Sequence, residues 1–405
     1  MHAETIVTRL MDWAGRQLHR KQAAALERAV LGAVSAGTVT LSSVALQLPG
    51  RTSYRHRCKS VDRLLGKESL HARRLQVYAQ LAHRWLHGIH TCLVVVDWSD
   101  LTADQRWQWL RGSVVVDGRS VTVYEEVHPQ RNYGASRVHA GFLRRLGQVL
   151  PPQCAPIVMT DAGFRAAWFQ QVEKCGWRYV GRVRNRDMVR EDAQQPWRPC
   201  KQLYERAVHG RAVDLGLGEL VRSRPTPARF VVYRQPPQGR HRKTAKTKRS
   251  AQRGSLKQAR TAREPWLLAS SPSLAHLKPE AIAGLYAQRM RIEQSFRDTK
   301  NHRFGQGLSS SRSRGQCRLE LLLLVAHLAA FVVRLIGETL ADQRQMHLDL
   351  QPPRRSRYPC ASVMTLARRA MDRQILSALH FATKAALWKL RSQAQAAINL
   401  VCLET

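Results

Sequence analysis

The chain has 405 residues, of which 44% are hydrophobic and only 17 are proline, so it is a globular protein with room for two to four domains. It carries 66 lysines and arginines against 29 aspartates and glutamates, a formal charge of +37. Such a surplus would repel itself without a polyanionic partner, for which nucleic acid is the first candidate and an anionic membrane the second.

Three further features narrow the class of protein. The one long apolar run, residues 319–337, contains Glu320, His327 and Arg334, so we expect a buried helix rather than a membrane span. Residues 1–20 alternate charged and apolar residues and show no signal peptide. The eight cysteines form no C-x-x-C pair, which indicates neither a disulfide scaffold nor a zinc knuckle. A reducing compartment, the cytoplasm, is expected.

The first segment, residues 1–88, has helical periodicity. Thr40 is a possible N-cap, and residues 51–59 read as a connection rich in Arg and His. A small DNA-binding bundle and a plain helical domain fit this pattern equally well. The predicted helices cover residues 21–35, 40–49, 60–66 and 72–86.

From residue 91 the pattern changes to strands mixed with helices. The run TCLVVVDWSD is continuously apolar until Asp97, and residues 113–127 predict a hairpin whose turn is Asp117-Gly118. Some strands are apolar on both faces, which indicates an α/β fold with a sheet covered on both sides. The elements that follow are a helix over 137–150, a strand over 155–164 containing Asp161, a helix over 166–175 and a strand over 178–184.

Between residues 185 and 263 this alternation stops. Residues 240–263 contain ten Lys and Arg residues and no acid, which predicts a solvated loop that can still bind phosphate. The remaining predicted elements are strands over 230–235 and 265–271, a helix over 285–300, and helices from about 316 to the end.

The helix predicted over 285–300 places its polar residues on one stripe. At 100° per residue, the stripe spans about 80° and lies beside an apolar stripe, so it follows the rim of the core. An Arg289–Glu293 pair stabilising the helix would explain this pattern without any function. The polar stripe comprises Tyr286, Arg289, Glu293, Arg297 and Lys300, and the apolar stripe Leu285, Ile292 and Phe296.

Three carboxylates change that interpretation. Asp97 and Asp161 each end a buried strand, where ligands bind in open α/β sheets, although an Asp there is also a common turn former. Glu293 lies among basic side chains. Together with Glu293, the two aspartates predict a site for two divalent metal ions, Mg²⁺ or Mn²⁺. Two such metals can activate a nucleophile and stabilise the leaving oxygen of a phosphodiester, while the neighbouring cations hold its phosphates.

These residues resemble a known family. Asp97, Asp161 and Glu293, together with a Y-x₂-R-x₃-E-x₆-K signature over residues 286–300, look like the catalytic residues of bacterial insertion-sequence DDE transposases. The likeness is to the insertion sequence four family, which includes the transposases of transposons ten and five. Segments that fit the transposon-ten enzyme are residues 62–66, 96–100, 118–125, 161–164, 172–177, 264–269 and 303–308.

The resemblance implies a ribonuclease H-like catalytic core interrupted by a β-rich insertion, with an N-terminal helical DNA-binding domain and a helical C-terminal region. It implies cleavage at the terminal inverted repeats through a hairpin intermediate and joining of the 3′-ends to target DNA, by a homodimer in the bacterial cytoplasm. The expected segments are residues 1–88 (DNA binding), 89–184 and 264–312 (the two parts of the core), 185–263 (insertion) and 313–405 (C-terminal region).

The resemblance also implies roles for the residues around the carboxylates. Tyr286, Arg289 and Lys300 would contact phosphates near the transposon end, and Arg297 shares their stripe. Trp266 would stack on a flipped base, although a core tryptophan on a strand is the plainer interpretation. Two other functions remain open: a nuclease or resolvase of the same fold that cuts without strand transfer, and a DNA-binding regulator without catalysis.

Overall fold

The computed structural model describes residues 3–184, 187–236, 252–253, 264–302, 305–351, 361–375 and 383–402. These residues form two compact units. The first unit comprises Met1–Cys154 and Met290–Ala397, and the second comprises Ala155–Arg289 and Ile398–Thr405. Apart from 252–253, the basic run at 240–263 that we predicted to be a loop lies outside the described residues.

The protein is a mixed α/β structure with many helices. The helices are α1 (Ala3–Ala14), α2 (Arg20–Ala36), α3 (Leu41–Leu46), α4 (Tyr54–Leu65), α5 (Glu68–His71), α6 (Arg74–Trp85), α7 (Ser136–Val149), α8 (Ala166–Lys174), α9 (Pro279–Ala287), α10 (Met290–Lys300), α11 (Gln316–Ala341), α12 (Arg344–Leu350), α13 (Val363–Asp372) and α14 (Thr383–Cys402). The strands are β1 (Leu93–Asp100), β2 (Trp107–Val116), β3 (Arg119–Pro129), β4 (Ile157–Thr160), β5 (Arg178–Val183), β6 (Met188–Arg190), β7 (Arg198–Pro199), β8 (Ala212–Leu220), β9 (Thr226–Tyr233) and β10 (Trp266–Ser270).

The N-terminal helices predicted over 21–35, 40–49 and 72–86 are present as α2, α3 and α6, whereas α1 and α5 were not predicted. Thr40 caps α3 as expected, since its hydroxyl accepts a hydrogen bond from the Ser43 N–H at 3.3 Å. The predicted connection over 51–59 is wrong, because most of it belongs to α4. Ser53 caps that helix by accepting from the His56 N–H, so the helix begins six residues before the predicted one at 60–66.

The first unit contains an antiparallel sheet in the order β3-β2-β1. The predicted hairpin turn is confirmed: Gly118 has φ +65°, which glycine adopts without strain. A Cβ on Gly112 of β2 would meet Phe142 of α7 at 3.3 Å, whereas the neighbouring Arg111 bonds to α10. Adjacent residues point to opposite faces, so α7 covers one face of this sheet and α10 the other, as predicted.

The apolar run at 319–337 forms the centre of α11. This helix has 26 residues and, by length and composition, is long enough and apolar enough to cross a membrane. In the structure, 94% of the most apolar stretch of this helix is buried inside the protein, which confirms the predicted buried helix. Its buried charged residues are paired. Glu320 bonds to Arg74 at 3.0 Å and Arg334 to Glu338 at 2.5 Å, which offsets the cost of burying charge.

The second unit contains a large mixed sheet in the order β4-β5-β10-β9-β8-β6-β7. Strands β4 and β5 are parallel and the other neighbours are antiparallel. Helix α8 packs closely on β5, since a Cβ on Gly181 would lie 2.3 Å from the Phe169 ring. The strands predicted at 155–164, 178–184, 230–235 and 265–271 are all present.

The single helix predicted over 285–300 is wrong. Helix α9 ends at Ala287 and α10 begins at Met290, and the boundary between the two units falls at the same point. The N–H groups of Gln288 and Arg289 each bond to the carbonyl three residues earlier, which tightens and ends α9. Tyr286 and Arg289 therefore do not share a helical stripe with the three residues on α10.

Candidate active site

Asp97 lies where a buried strand becomes accessible. The first four residues of β1 are buried, and Asp97 is the first half-buried one. Its Oδ1 accepts a hydrogen bond from the Trp98 N–H at 2.8 Å. In the antiparallel register Asp97 is directly opposite Arg111, and Ser99 follows two residues later, so these three side chains share one face of the sheet.

Helix α10 covers that face. Arg111 donates from Nη1 to the Ser295 hydroxyl at 2.9 Å and from Nη2 to the Thr299 hydroxyl at 3.4 Å. Lys300 donates from Nζ to the Ser99 hydroxyl at 2.7 Å. The structure therefore brings the helix that carries Glu293 onto the face that carries Asp97.

Glu293 and Lys300 lie on the same side of α10, because seven residues make about two turns of helix. Glu293 is exposed in the first turn of the helix, where a carboxylate also interacts favourably with the helix dipole. Arg297, between them, is exposed as well. Two of the three predicted carboxylates and two of the predicted phosphate-binding cations thus belong to one helix and one sheet face of the first unit.

Lys300 is a partly desolvated cation. Burial lowers the pKa of its ammonium group and the nearby Arg111 lowers it further, while Asp100 opposes both effects. The Phe296 ring lies 5.9 Å from Nζ. A phosphate would offset that desolvation, which is a physical reason for an anion to bind here.

Arg111 positions α10 on the sheet, and sequence reasoning missed it. It forms a buried ion pair with Glu125 at 2.8 Å, and Glu125 also accepts from Trp109 Nε1 at 2.9 Å and from the Tyr78 hydroxyl at 3.0 Å. Its guanidinium lies 3.9 Å from the Trp109 ring centroid. The sequence signal was weak, because Glu125 lies in the hairpin predicted over 113–127 but Arg111 lies two residues before it.

Asp161 belongs to the second unit and has a different setting. It is half-buried and directly follows β4, whose four residues are all buried. Its Oδ1 accepts from the Gly163 N–H at 2.8 Å, which makes a turn closed by the aspartate side chain. Asp161 is therefore a turn former in its local structure. Its catalytic role stays a prediction, and the turn does not conflict with it.

Trp266 and Tyr286, also in the second unit, pack against each other. Their ring centroids are 4.9 Å apart at an interplanar angle of 74°, and Tyr233 lies 5.7 Å from Trp266. Tyr286 is buried, while Trp266 and Arg289 are half-buried. The packing interpretation of Trp266 holds, and the predicted contacts of Tyr286 and Arg289 with phosphate stay predictions.

The donor chemistry decides which metal these residues suit. Asp97 and Glu293 offer hard carboxylate oxygens, which suit Mg²⁺ or Mn²⁺ and not the softer metals that cysteine and histidine hold. Within the part of the chain that the structure describes, no three His, Cys, Asp or Glu side chains form a ready metal-binding group. That Asp161 completes a shared centre with them stays a prediction.

Comparison with known proteins identifies the family. Residues 89–331, more than half of the chain, match the family described as the Transposase DDE domain. The matched range begins just before β1, ends within α11, and includes all three candidate carboxylates. No curated protein matches the chain significantly. Members of this family are enzymes of DNA transposition that generally use divalent metal ions. The chain belongs to the DDE transposase family, and its partner is DNA.

Proposed function

We propose that this chain is the transposase of an insertion sequence of the insertion sequence four family. It binds the terminal inverted repeats, cuts the element out through a hairpin intermediate, and joins the 3′-ends to target DNA. The observation that carries the proposal is the first unit's arrangement, in which α10 brings Glu293 and Lys300 to the sheet face of Asp97. The reaction takes place in the bacterial cytoplasm, in a complex that contains a homodimer.

Asp97, Asp161 and Glu293 would hold Mg²⁺, for which Mn²⁺ can substitute. When bound, the metal activates a water or a 3′-hydroxyl and stabilises the leaving oxygen. Lys300, held by Ser99, would neutralise a phosphate oxygen of the strand being cut. Arg297, Arg289 and Tyr286 would bind further phosphates, and Trp266 would stack on a flipped base.

The proposed architecture is a ribonuclease H-like core interrupted by an insertion, with a helical domain before it and a helical region after it. In support, strands β6 to β9 fall between residues 188 and 233, where the β-rich insertion is expected. The described residues after 316 are helical in α11 to α14, as expected for the C-terminal region. The five segment boundaries remain part of the proposal.

Helix α4 is the part of the N-terminal segment that we propose to contact the inverted repeats. It packs on the core through Val61, Leu64 and Leu65, which are buried. Its other face is exposed and basic, and the side chain of Tyr54 at its start is 45% exposed. A helix with one apolar face and one basic face suits a DNA groove. The exposed basic residues of this face are Arg55, His56, Lys59 and Arg63.

The direct test is the substitution Glu293→Gln, which keeps the shape of the side chain and removes its charge. We expect Mg²⁺-dependent cleavage of a DNA duplex ending in the inverted repeat to fall more than about a hundredfold, since even residues behind metal ligands cost 10–100-fold. End binding should persist. The matched control is Glu280→Gln, in the first turn of α9 and also exposed. Cleavage by Glu293→Gln at the rate of this control would overturn the proposal.

Two other functions are distinguished by related assays. A nuclease or resolvase of the same fold would cut but would not insert pre-cut ends into a supercoiled plasmid. A non-catalytic regulator would keep every function after Asp97→Ala. The carboxylates and cations gathered on one face of the first unit favour the transposase.

A further inference from the structure

A groove opens in the first unit beside the end of β1. One wall is the loop between β1 and β2, residues 101–106, with Trp107 at the start of β2, and the other is the segment 308–315 that leads into α11. Its volume is about 1090 Å³, and we call it the arginine groove. Because Ser309 donates from its hydroxyl to the Lys300 carbonyl at 2.9 Å, the second wall is joined to the end of α10. The groove therefore adjoins the face of the candidate active site.

Both walls are fixed by the backbone. The loop is closed by a bond from the Leu101 N–H to the Trp107 carbonyl at 2.9 Å, and the Arg106 carbonyl accepts from the Gln130 N–H at 2.9 Å. In the other wall, the Ser311 N–H bonds to the Leu308 carbonyl at 3.0 Å. Backbone hydrogen bonds therefore hold part of each wall in place in the folded chain.

The groove is apolar at its base and cationic at its edges. Leu101, Leu308 and Leu319 are buried beneath it. Arg106, Arg312 and Arg314 line it and are exposed, and Asp104, which lies 3.3 Å from Arg106, is the acid among its lining residues. The lining therefore carries a net charge of +2, from three arginines and one aspartate.

The spacing of polar groups suits phosphates. Ser309, Ser311 and Ser313 alternate with other residues along the second wall, beside Arg312 and Arg314. Arginine and serine side chains are common donors to phosphate oxygens. The wall ends at Gly315, where α11 begins without a side-chain cap, so the backbone N–H groups of its first turn also face an anion favourably.

We infer that the arginine groove binds the phosphate backbone of the target DNA. The inference rests on the proposed function, since only a joining reaction has a target. Contacts to phosphates fix a duplex in position but carry no sequence information directly, which suits DNA whose sequence the element does not determine. The inverted repeats are fixed in sequence, and reading them requires contacts to base edges.

The test compares two double variants of the full chain that lose the same charge. The first is Arg312→Ala with Arg314→Ala, in the arginine groove. The control is Arg222→Ala with Arg224→Ala, two exposed arginines with the same spacing in the second unit. One assay inserts pre-cut inverted-repeat ends into a supercoiled plasmid, and the other cleaves an inverted-repeat duplex. We expect the insertion rate of the groove variant to fall about tenfold relative to the control, because its contacts to the phosphates of the target DNA are lost. Its cleavage rate should fall less than twofold.

A third measurement separates this inference from the proposed function. Binding of a random-sequence duplex to the full chain is measured against salt concentration. We expect the slope of log K against log salt to be less steep by about 2 in the groove variant, because two phosphate contacts are lost. If the wild type neither cleaves nor inserts, the proposed function fails, and this slope still tests the groove.

Two outcomes would overturn the inference. One is insertion and a salt slope in the groove variant equal to those of the control. The other is a parallel loss of cleavage and insertion, which would assign the groove to the transposon end instead of the target.

Discussion

Asp97 and Asp161 look alike in the sequence, since each follows a short buried run, yet the structure gives them different surroundings. Asp161 follows its strand and closes a local turn through the Gly163 N–H. Asp97 lies within β1, opposite Arg111, on a face covered by a helix almost two hundred residues away in the chain. One aspartate is oriented by the neighbouring backbone, and the other is surrounded by tertiary packing.

The largest expected effect is the loss of cleavage in Asp97→Asn and in Asp161→Asn. An asparagine oxygen can still accept from the Trp98 or Gly163 N–H, so both variants should fold. Neither retains the charge that holds a metal, and we expect each to lose more than about a hundredfold in cleavage rate. Circular dichroism provides the folding control. If Asp161→Asn cleaved normally, Asp161 would be a turn former only.

The next largest effect is on stability, in the variant Arg111→Met. It leaves Glu125 buried without its cation, which costs about 3–5 kcal/mol in the free energy of unfolding. Urea denaturation measures this loss. The double variant Arg111→Met with Glu125→Gln should recover part of it, since no unpaired charge remains. A loss below about 1 kcal/mol would contradict the role of Arg111 in holding α10 to the sheet.

A pH-dependent effect is expected on the opposite face of β1. Burial, with a smaller contribution from His128, lowers the pKa of His139 to about 4, and the neutral ring accepts from Trp98 Nε1 at 3.0 Å. The unfolded chain therefore binds more protons between about pH 4 and 6.5, so stability rises with pH across this window and is lost as pH falls. His139→Gln should flatten this rise by about 3 kcal/mol in denaturation curves. An unchanged pH profile would contradict a buried neutral His139.

The smallest effect is expected from an ion pair in the second unit. Arg229 is buried, but Asp214, which it binds at 2.6 Å, is 42% exposed. In the variant Asp214→Asn, the buried guanidinium of Arg229 keeps its bonds to the Leu274 carbonyl at 3.0 Å and the Leu277 carbonyl at 2.6 Å, so it is not left without partners. Asp214→Asn should cost at most about 1 kcal/mol in urea denaturation. A loss as large as that of Arg111→Met would remove the contrast between the two units.

The sequence predicts most strands and helices because continuous apolar runs mark β1, β4 and α11, and a helical apolar periodicity marks α2. The register of the hairpin is harder to predict. A bulge between Gly112 and Ser113 shifts the pairing by one residue, so that Arg111 faces Glu125 and not Tyr124. Periodicity along one strand does not reveal such a shift.

The break between α9 and α10 was missed for a related reason. Neither glycine nor proline interrupts residues 285–300, so the helical pattern continues across the point where the structure ends one helix and begins another. The sequence correctly placed Glu293 and Lys300 on one side of a helix, because both lie after the break. Their packing onto Ser99 and Arg111 depends on contacts between distant segments, which local patterns do not contain.

The central claim is that Asp97, Asp161 and Glu293 hold one divalent metal centre. It is tested most directly by measuring Mn²⁺ binding to the full chain, in the presence of an inverted-repeat duplex, by electron paramagnetic resonance. We expect Asp97→Asn, Asp161→Asn and Glu293→Gln each to weaken binding, while Glu280→Gln binds as the wild type does. Wild-type Mn²⁺ binding in Asp161→Asn, beside a loss in Asp97→Asn and Glu293→Gln, would contradict the claim.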